Sequence, residues 1–274
     1  GLVALGQARR LAAMPVDGGG LPVFFARQLT ACLPPAVTPL LEFWRPDPAL
    51  LTRLQPDLIV CGWIHYDPGL IRQLHSIAPT VLAGRWPLEA PREATRAVGS
   101  LLGITARAEA VVRDHDLFVQ RARRVVLNVF GAQRVTILQM HDDGVHAAPA
   151  WNLDGEGATS EGAARIIHRE LGLRPSALIE RIASIDRTVY HVQLCERQLP
   201  DLDSEVLIVF SDDNDALDRL TASEHWLRTR AVCQRQVHIL RDVRFGLGLL
   251  AQQIAIEFLV EALTGRTLDE ASGG

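Results

Sequence analysis

Apolar residues change their spacing between residues 46 and 60, where the sequence reads PDPALLTRLQPDLIV. The leucines of the first half recur at helical intervals, whereas the residues after the second Pro-Asp pair form a continuous apolar run. That change is typical of a short helix, a break and a buried strand at residues 58–61. A helix predicted at residues 68–76 and a strand at residues 77–82 repeat the arrangement. Alternating elements of this kind predict a parallel α/β lobe.

The middle of the chain predicts one long helix. Residues 106–124 contain neither glycine nor proline, and Thr105 stands in front of them as a candidate N-cap. Arginines near the end of this stretch suit a helix C-terminus, where positive charge is favoured. A shorter helix is predicted at residues 92–102, before Gly103.

Strand and helix signals resume after the long helix. We expect strands at residues 135–140, 203–210 and 236–240, and helices at residues 159–171, 194–199, 217–226 and 246–263. Nearer the N-terminus we expect a strand at residues 3–5 and a helix at residues 9–14. The predicted fold class is α/β, with two Rossmann-like lobes joined by a single long helix. The predicted boundaries are residues 1–104 for the N-terminal lobe, 105–127 for the connecting helix and 128–274 for the C-terminal lobe.

Composition narrows the function classes. A chain of 274 residues that is 48% hydrophobic can fill a real core. The net charge of −4 comes without a basic stripe interleaved with aromatic residues, so we expect no nucleic-acid partner. No apolar run approaches the ~20 residues that cross a bilayer. The chain starts at Gly1, and we expect any signal peptide to have been removed before that residue. Every basic residue is arginine, whose planar guanidinium suits carboxylates.

The cysteines do not form a metal-binding pattern. Cys32, Cys61, Cys195 and Cys233 lie far apart without a CxxC pair, which argues against structural zinc. Two disulfides could form in an oxidising compartment. For Cys61 and Cys195 we expect small buried side chains.

Catalytic motifs are missing from the sequence. It contains no GxSxG, HExxH or Walker pattern, and the glycines at residues 18–20 are expected to form a flexible turn. One cluster, His141-Asp142-Asp143 with His146, follows a predicted strand and could bind a divalent metal. The alternative is a solvated loop. We therefore expect a protein that is not an enzyme.

The chain resembles a family of binding proteins over about residues 40–265. The order of helix, PDLIV, aromatic loop, helix and IAPTVL is similar to that of the periplasmic proteins that deliver iron–siderophore complexes and cobalamin to ABC importers. QLPDLDSEVLIVF, at residues 198–210, echoes the first lobe, and residues 216–240 resemble the family's C-terminal section. The resemblance implies a ligand cleft between the lobes, with the long helix as a stiff connection.

In such proteins the ligand lies against loops that follow the strands, at the edge where open α/β sheets bind ligands. The ligand-binding residues implied here are Trp63, His65, Tyr66, Arg85, Trp86, Arg187, Tyr190, Arg244 and Phe245. Arg85 lies close to the position of an arginine that contacts the ligand in siderophore binders. Arg187 and Arg244 stand where hydroxamate binders tend to have aromatic residues. Guanidinium groups in their place favour a ligand with exposed carboxylates.

The resemblance is incomplete at the positions that dock onto the importer. Family members typically carry a glutamate in each lobe that contacts arginines of the membrane permease. Here the first position is Ala49, and Glu196 lies about one residue from the second, next to Arg197. Docking through Glu42 or Asp47 is one alternative, and a member that stores or passes on its ligand is another.

The resemblance implies a monomeric, periplasmic protein that captures a ferric siderophore for an ABC importer. The siderophore would be anionic and rich in carboxylates. No cofactor and no metal ligand from the protein are implied, because oxygen atoms of the siderophore would hold the iron. The nearest alternatives on the same fold are a haem or cobalamin binder, with His65 or Tyr66 as axial ligand, and a divalent-metal binder. A ligand-sensing module of a regulator and an enzyme of unknown type belong to different classes.

Overall fold

The computed structural model of the chain describes residues 2–15, 37–40, 47–61, 68–82, 91–141, 144–148, 163–185, 192–211, 213–241 and 248–272. Two compact units divide it. The first contains Gly1–Asp116 and Gly246–Gln252, and the second contains Leu117–Phe245 and Gln253–Gly274.

Short parallel strands and helices alternate in the first unit, as the sequence predicts. The elements are a 3₁₀ turn Ala8–Arg10, strands β1 (Ala13–Pro15) and β2 (Thr38–Leu40), helix α1 (Pro48–Leu54), strand β3 (Ile59–Cys61), helix α2 (Pro68–Ile77), strand β4 (Thr80–Leu82) and helix α3 (Pro91–Leu101). β1 pairs with β2 and β3 with β4, both in parallel. The Asp47 carboxylate caps α1 by accepting from the Ala49 N–H at 2.9 Å. Leu51 of α1 packs with Leu70 and Leu74 of α2 to form a small core.

The long helix α4 (Thr105–Phe130) is continuous, and the division between the units falls within it. Its buried positions recur mainly at intervals of three and four residues, which gives one mostly apolar stripe along 26 residues. Those residues are Ala108, Val112, His115, Val119, Ala122, Val125, Val126 and Phe130. The single long helix of the sequence prediction is confirmed, although it runs past Arg124 to Phe130. The arginines did not end it, because the chain leaves helical geometry only at Gly131, where φ is +58°.

The second unit is built on a sheet of mixed direction. Its strands are β5 (Arg134–His141), β6 (Gly144–Ala147), β7 (Arg174–Pro175), β8 (Val192–Leu194), β9 (Val206–Ser211) and β10 (Val237–Arg241). The order is β10-β9-β5-β6-β8, and β7 pairs with β5. β9 and β10 run parallel to β5, whereas β6 is antiparallel to both β5 and β8.

Helices accompany the sheet of the second unit. They are a π-helical segment (Arg165–Glu170), α5 (Ala177–Ile185), a 3₁₀ turn (Glu196–Asp201), α6 (Asn214–Ala222), α7 (Glu224–Leu227), α8 (Arg230–Cys233), α9 (Leu249–Thr264) and α10 (Leu268–Ser272). Residues 249–252 of α9 belong to the first unit. Leu138 and Val145 of the sheet pack with Leu207, Leu217 and Trp226 in a core of this unit.

Several local predictions are wrong. Residues 3–5 form a turn, and residues 13–15, predicted as the end of a helix and the residue after it, form strand β1. The helix predicted at residues 194–199 is the end of β8 followed by a 3₁₀ turn. Ser223 interrupts the helix predicted at residues 217–226, because its hydroxyl caps a new helix by accepting from the Trp226 N–H. Cys195, expected to be buried, is an exposed free thiol, as is Cys233.

Candidate functional site

Strands β3 and β4 end side by side in the first unit. They are parallel, and Cys61 stands in register with Leu82. The chain therefore leaves both strands at the same edge, where open α/β sheets bind ligands. Residues 62–67 follow the first strand, and residues 83–90 follow the second.

The second unit has a matching edge at β9 and β10. Ser211 and Arg241 end these parallel strands in register. The Ser211 hydroxyl donates to the Asp213 backbone carbonyl at 2.7 Å, and the Asp213 carboxylate caps α6 by accepting from Ala216 N–H at 3.0 Å. These contacts connect the end of β9 to the start of α6. Residues 242–247 follow the exposed Arg241.

The segment that contains Arg187 and Tyr190 has a different place in the chain order from the one expected. It follows helix α5 and precedes β8, so the expectation that it leaves the carboxyl end of a strand is wrong. β8 runs in the same direction as β5 and β10, because β6 is antiparallel to its neighbours on both sides. The chain thus enters β8 at its amino end but leaves β10 at its carboxyl end. The prediction relied on strands in an α/β order and missed the antiparallel hairpin.

The predicted ligand-binding side chains lie outside the described residues. They are Trp63, His65, Tyr66, Arg85, Trp86, Arg187, Tyr190, Arg244 and Phe245. Their roles stay predictions. Described strands nevertheless border the segments that carry seven of them: β3, β4 and β10 precede residues 62–67, 83–90 and 242–247.

Two members of the predicted histidine and aspartate cluster, His141 and His146, belong to strands β5 and β6. β5 ends at His141, β6 begins at Gly144, and Asp142 and Asp143 fall outside the described residues. His146 is half-buried within β6. The described part of the chain contains no group of three or more histidine, cysteine or acidic side chains that could hold a metal ion.

A polar row that the sequence did not reveal crosses these strands. His146 stands in register with Gln139 of β5 on one side and with Gln193 of β8 on the other. The neighbouring residues Val145 and Leu194 belong to the core on the opposite face. The alternation in Val145-His146-Ala147 was the available signal, but four residues are too few to separate a strand from a loop.

An ionic cluster fixes the amino end of β5. The Arg134 guanidinium lies 3.1 Å from the Asp203 carboxylate and donates to the Pro175 carbonyl at 2.7 Å. Asp203 also accepts from the Ser176 hydroxyl at 2.7 Å and from the Ala177 N–H at 2.9 Å. Burial alone would raise the pKa of Asp203, but these hydrogen bonds and the charge of Arg134 hold the pKa below its ordinary value. The cluster anchors β5, β7 and α5.

The positions considered for docking are on the surface. Ala49 is exposed in the first turn of α1, and Glu196 and Arg197 are exposed in the 3₁₀ turn after β8. Asp47 is the N-cap of α1, so its carboxylate already accepts a backbone hydrogen bond. Glu42 lies outside the described residues.

A comparison with known protein families shows which family the chain belongs to. The family model described as "Periplasmic binding protein" matches residues 26–243. The chain belongs to this family. No curated protein gives a significant match. Within the described residues, no helix has the length and apolar character needed to span a membrane.

Solved structures of siderophore-binding proteins share the fold. SirA of Staphylococcus aureus superimposes with a TM-score of 0.73 at 18% identity, covering 97% of this chain and 95% of SirA. FeuA of Bacillus subtilis, a triscatecholate siderophore-binding protein, gives a TM-score of 0.67 at 12% identity, covering 97% and 88%. A Bacillus subtilis protein of the FhuD fold family, described as a component of a Fep/Fec-like ferrichrome ABC transporter, gives 0.72 at 18%, covering 96% and 94%. At these identities the likeness establishes the two-lobed fold.

Proposed function

We propose that this periplasmic binding protein captures a ferric siderophore and delivers it to the permease of an ABC importer. The observation that carries the proposal is the family match over residues 26–243. Related folds supply the substrate class. SirA has been solved with staphyloferrin B, and FeuA with ferri-bacillibactin. The proposed location is the periplasm, and the proposed working form is a monomer without catalytic activity.

The proposed siderophore is anionic and rich in carboxylates. Arg85 and Arg244 are the proposed specificity residues, because guanidinium groups pair with carboxylates in a bidentate, charge-assisted geometry. Several guanidinium groups placed together repel one another unless negative charge offsets them. A ligand that supplies carboxylates would provide that charge. The chelate's own oxygens would hold the iron, so the proposal requires no resident cofactor.

The experiment measures binding by tryptophan fluorescence with three classes of ferric chelate: citrate-type, hydroxamate and catecholate. We expect quenching by the citrate-type chelate and weaker binding of the neutral hydroxamate. Arg85→Ala and Arg244→Ala should each weaken the citrate-type chelate roughly ten- to a hundredfold, because a charge-assisted pair contributes about 1.5–3 kcal/mol. The hydroxamate should lose much less.

Two matched variants sharpen this test. Arg244→Lys keeps the charge but not the two-pronged donor geometry, so an intermediate loss is expected. Arg219→Ala removes an exposed arginine of α6 and should leave binding unchanged. Equal losses for both chelates, or no loss, would remove the carboxylate assignment while leaving siderophore binding intact.

The same preparation separates the alternative ligands. A haem binder would purify with a Soret absorption band, and a divalent-metal binder would retain stoichiometric metal after dialysis. Either result, combined with no response to any ferric chelate, would overturn the proposed function.

A further inference from the structure

A half-buried histidine, His168, lies near the end of the π-helical segment Arg165–Glu170. The Nδ1 atom of His168 lies 2.9 Å from the carbonyl oxygen of Leu173. A carbonyl oxygen only accepts, so Nδ1 must carry the proton of the neutral ring and Nε2 must be bare. Nε2 is buried, and the described residues offer it no hydrogen-bond partner. Nε2, the nitrogen that would take up a proton, therefore has no acceptor to which it could donate that proton among the described residues.

The hydrogen bond of His168 ties the segment to the turn that follows it. The N–H of Leu171 donates to Ile166 at 2.8 Å, and the chain then reverses through Gly172, where φ is +79°. The buried Leu173 returns to the histidine and leads into β7. Since β7 pairs with β5, the ring holds a helix end against the start of the sheet.

The charged residues along this turn are Arg165, Arg169 and Glu170 of the same segment and, from α4, Arg123, which lies against Gly172. Three of the four are cations. Glu170 is two positions along the segment, a spacing at which helical side chains do not face each other. Burial lowers the pKa of His168 to about 4, and the Leu173 carbonyl opposes that shift.

We propose that His168 is an acid-sensitive latch that holds the π-helical segment against the turn to β7 when neutral and releases the turn when protonated. This inference rests on contacts within the second unit and does not depend on the ligand. In the released form the ring is hydrated, so its pKa returns to about 6.5. The closed form is fully favoured above that pH. Below it, release becomes roughly tenfold more favourable per pH unit until the closed ring itself is protonated, near pH 4.

Hydrogen exchange tests the latch directly. The protection factors of the Leu171 and Leu173 amides are measured between pH 7.5 and 4.5, in wild type and in His168→Asn. Wild-type protection should fall roughly thirtyfold between pH 6.5 and 4.5. Asparagine can still donate towards Leu173 but cannot be protonated, so its profile should be flat. His75→Asn, at an exposed histidine of α2, should keep the wild-type slope.

Two further readouts need no variant at His168. The ring should titrate in the wild-type NMR spectrum with a midpoint below about pH 5, and a midpoint near the ordinary 6.5 would overturn the proposal. Amides of β9 report opening of the whole unit. The latch predicts that Leu171 and Leu173 are less protected than β9 at every acidic pH. Equal protection of both regions, or an unchanged slope in His168→Asn, would also overturn it.

Discussion

At the scale of single residues, Gly172 combines a backbone requirement with a packing requirement. Its φ of +79° lies in the left-handed region, which disfavours side chains. A Cβ atom there would also lie 2.7 Å from the guanidinium of Arg123. Gly131 shares the left-handed backbone, with φ of +58°, but a Cβ there would meet nothing within 4 Å. The two glycines therefore separate the two effects.

Replacing each glycine by alanine tests that separation. Gly131→Ala should destabilise the protein by about 1–2 kcal/mol through its backbone alone. Gly172→Ala should cost more, because the Arg123 guanidinium must also move away. Urea denaturation of both variants, in wild-type and Arg123→Ala backgrounds, measures the difference. If the extra cost persists without the arginine, the packing explanation is wrong.

Two buried or partly buried ionisable residues act in separate pH windows. The lowered pKa of Asp203 contributes stability that is present above its ordinary value of 3.8 and is lost as the pH falls through its folded pKa. His168 acts earlier, because its stabilising effect declines from about pH 6.5 towards 4. His168→Asn should therefore reduce the slope of the upper part of an acid stability profile, to which the lowered pKa of His238 also contributes, and leave the part below pH 4, which depends on carboxylates.

At the scale of elements, helices α3 and α4 pack at very short distance. The site of contact is Gly99, where an added Cβ would collide with the Cβ of Ala108. Ion pairs flank this contact: Arg92 with Asp116 at 2.6 Å, and Arg96 with Glu109 at 3.0 Å. Glycine within a helix usually costs about 1 kcal/mol relative to alanine, so its presence here requires a packing reason.

Gly99→Ala should destabilise the protein despite its better helix propensity. Overpacking typically costs about 1–3 kcal/mol, which exceeds the gain from propensity. The exchange Gly99→Ala with Ala108→Gly should recover much of the loss, because one methyl group again separates the helices. Thermal or urea unfolding of the two single variants and the double variant provides the measurement. Wild-type stability in Gly99→Ala alone would contradict the close contact.

Long periodic elements were predictable from the sequence, and short ones were not. The stripe of α4 and the apolar run of β9 carry enough residues to define a period. Strands β6 and β8 have four and three residues, and their pairing depends on partners far along the chain. Because the prediction missed these two strands, it expected Arg187 and Tyr190 to follow a strand, whereas they precede β8. His168 could not be predicted either, because the burial of one polar side chain depends on the whole fold.

At the scale of the whole molecule, the order of elements was sufficient to reach the family. Proteins of 18% identity share the fold. The fold requires a hydrophobic periodicity and turns at particular positions, but it tolerates different residues at those positions. We propose that ligand specificity depends instead on a few side chains after the strands. The sequence names those candidates, and binding measurements on Arg85 and Arg244 decide among them.

The continuous helix α4 makes a prediction about the two units together. It buries Ala108 against Leu5 and Val98 in the first unit, and Val119 and Ala122 are buried in the second. Damage at its middle should therefore reach both cores. Leu117 lies at the division and is 63% exposed, so its side chain contributes little packing.

Leu117→Pro should destabilise both units by about 3 kcal/mol in total, because proline removes a helical N–H and collides with the carbonyl of Arg113 one turn earlier. Leu117→Ala, which only shortens the exposed side chain, should be close to neutral. Hydrogen exchange gives the readout for each unit: amides of α2 and β4 in the first, and of β9 in the second. Both sets should lose protection in the proline variant. Loss confined to the amides of α4, with both cores still protected, would mean that the helix does not carry stability between the units.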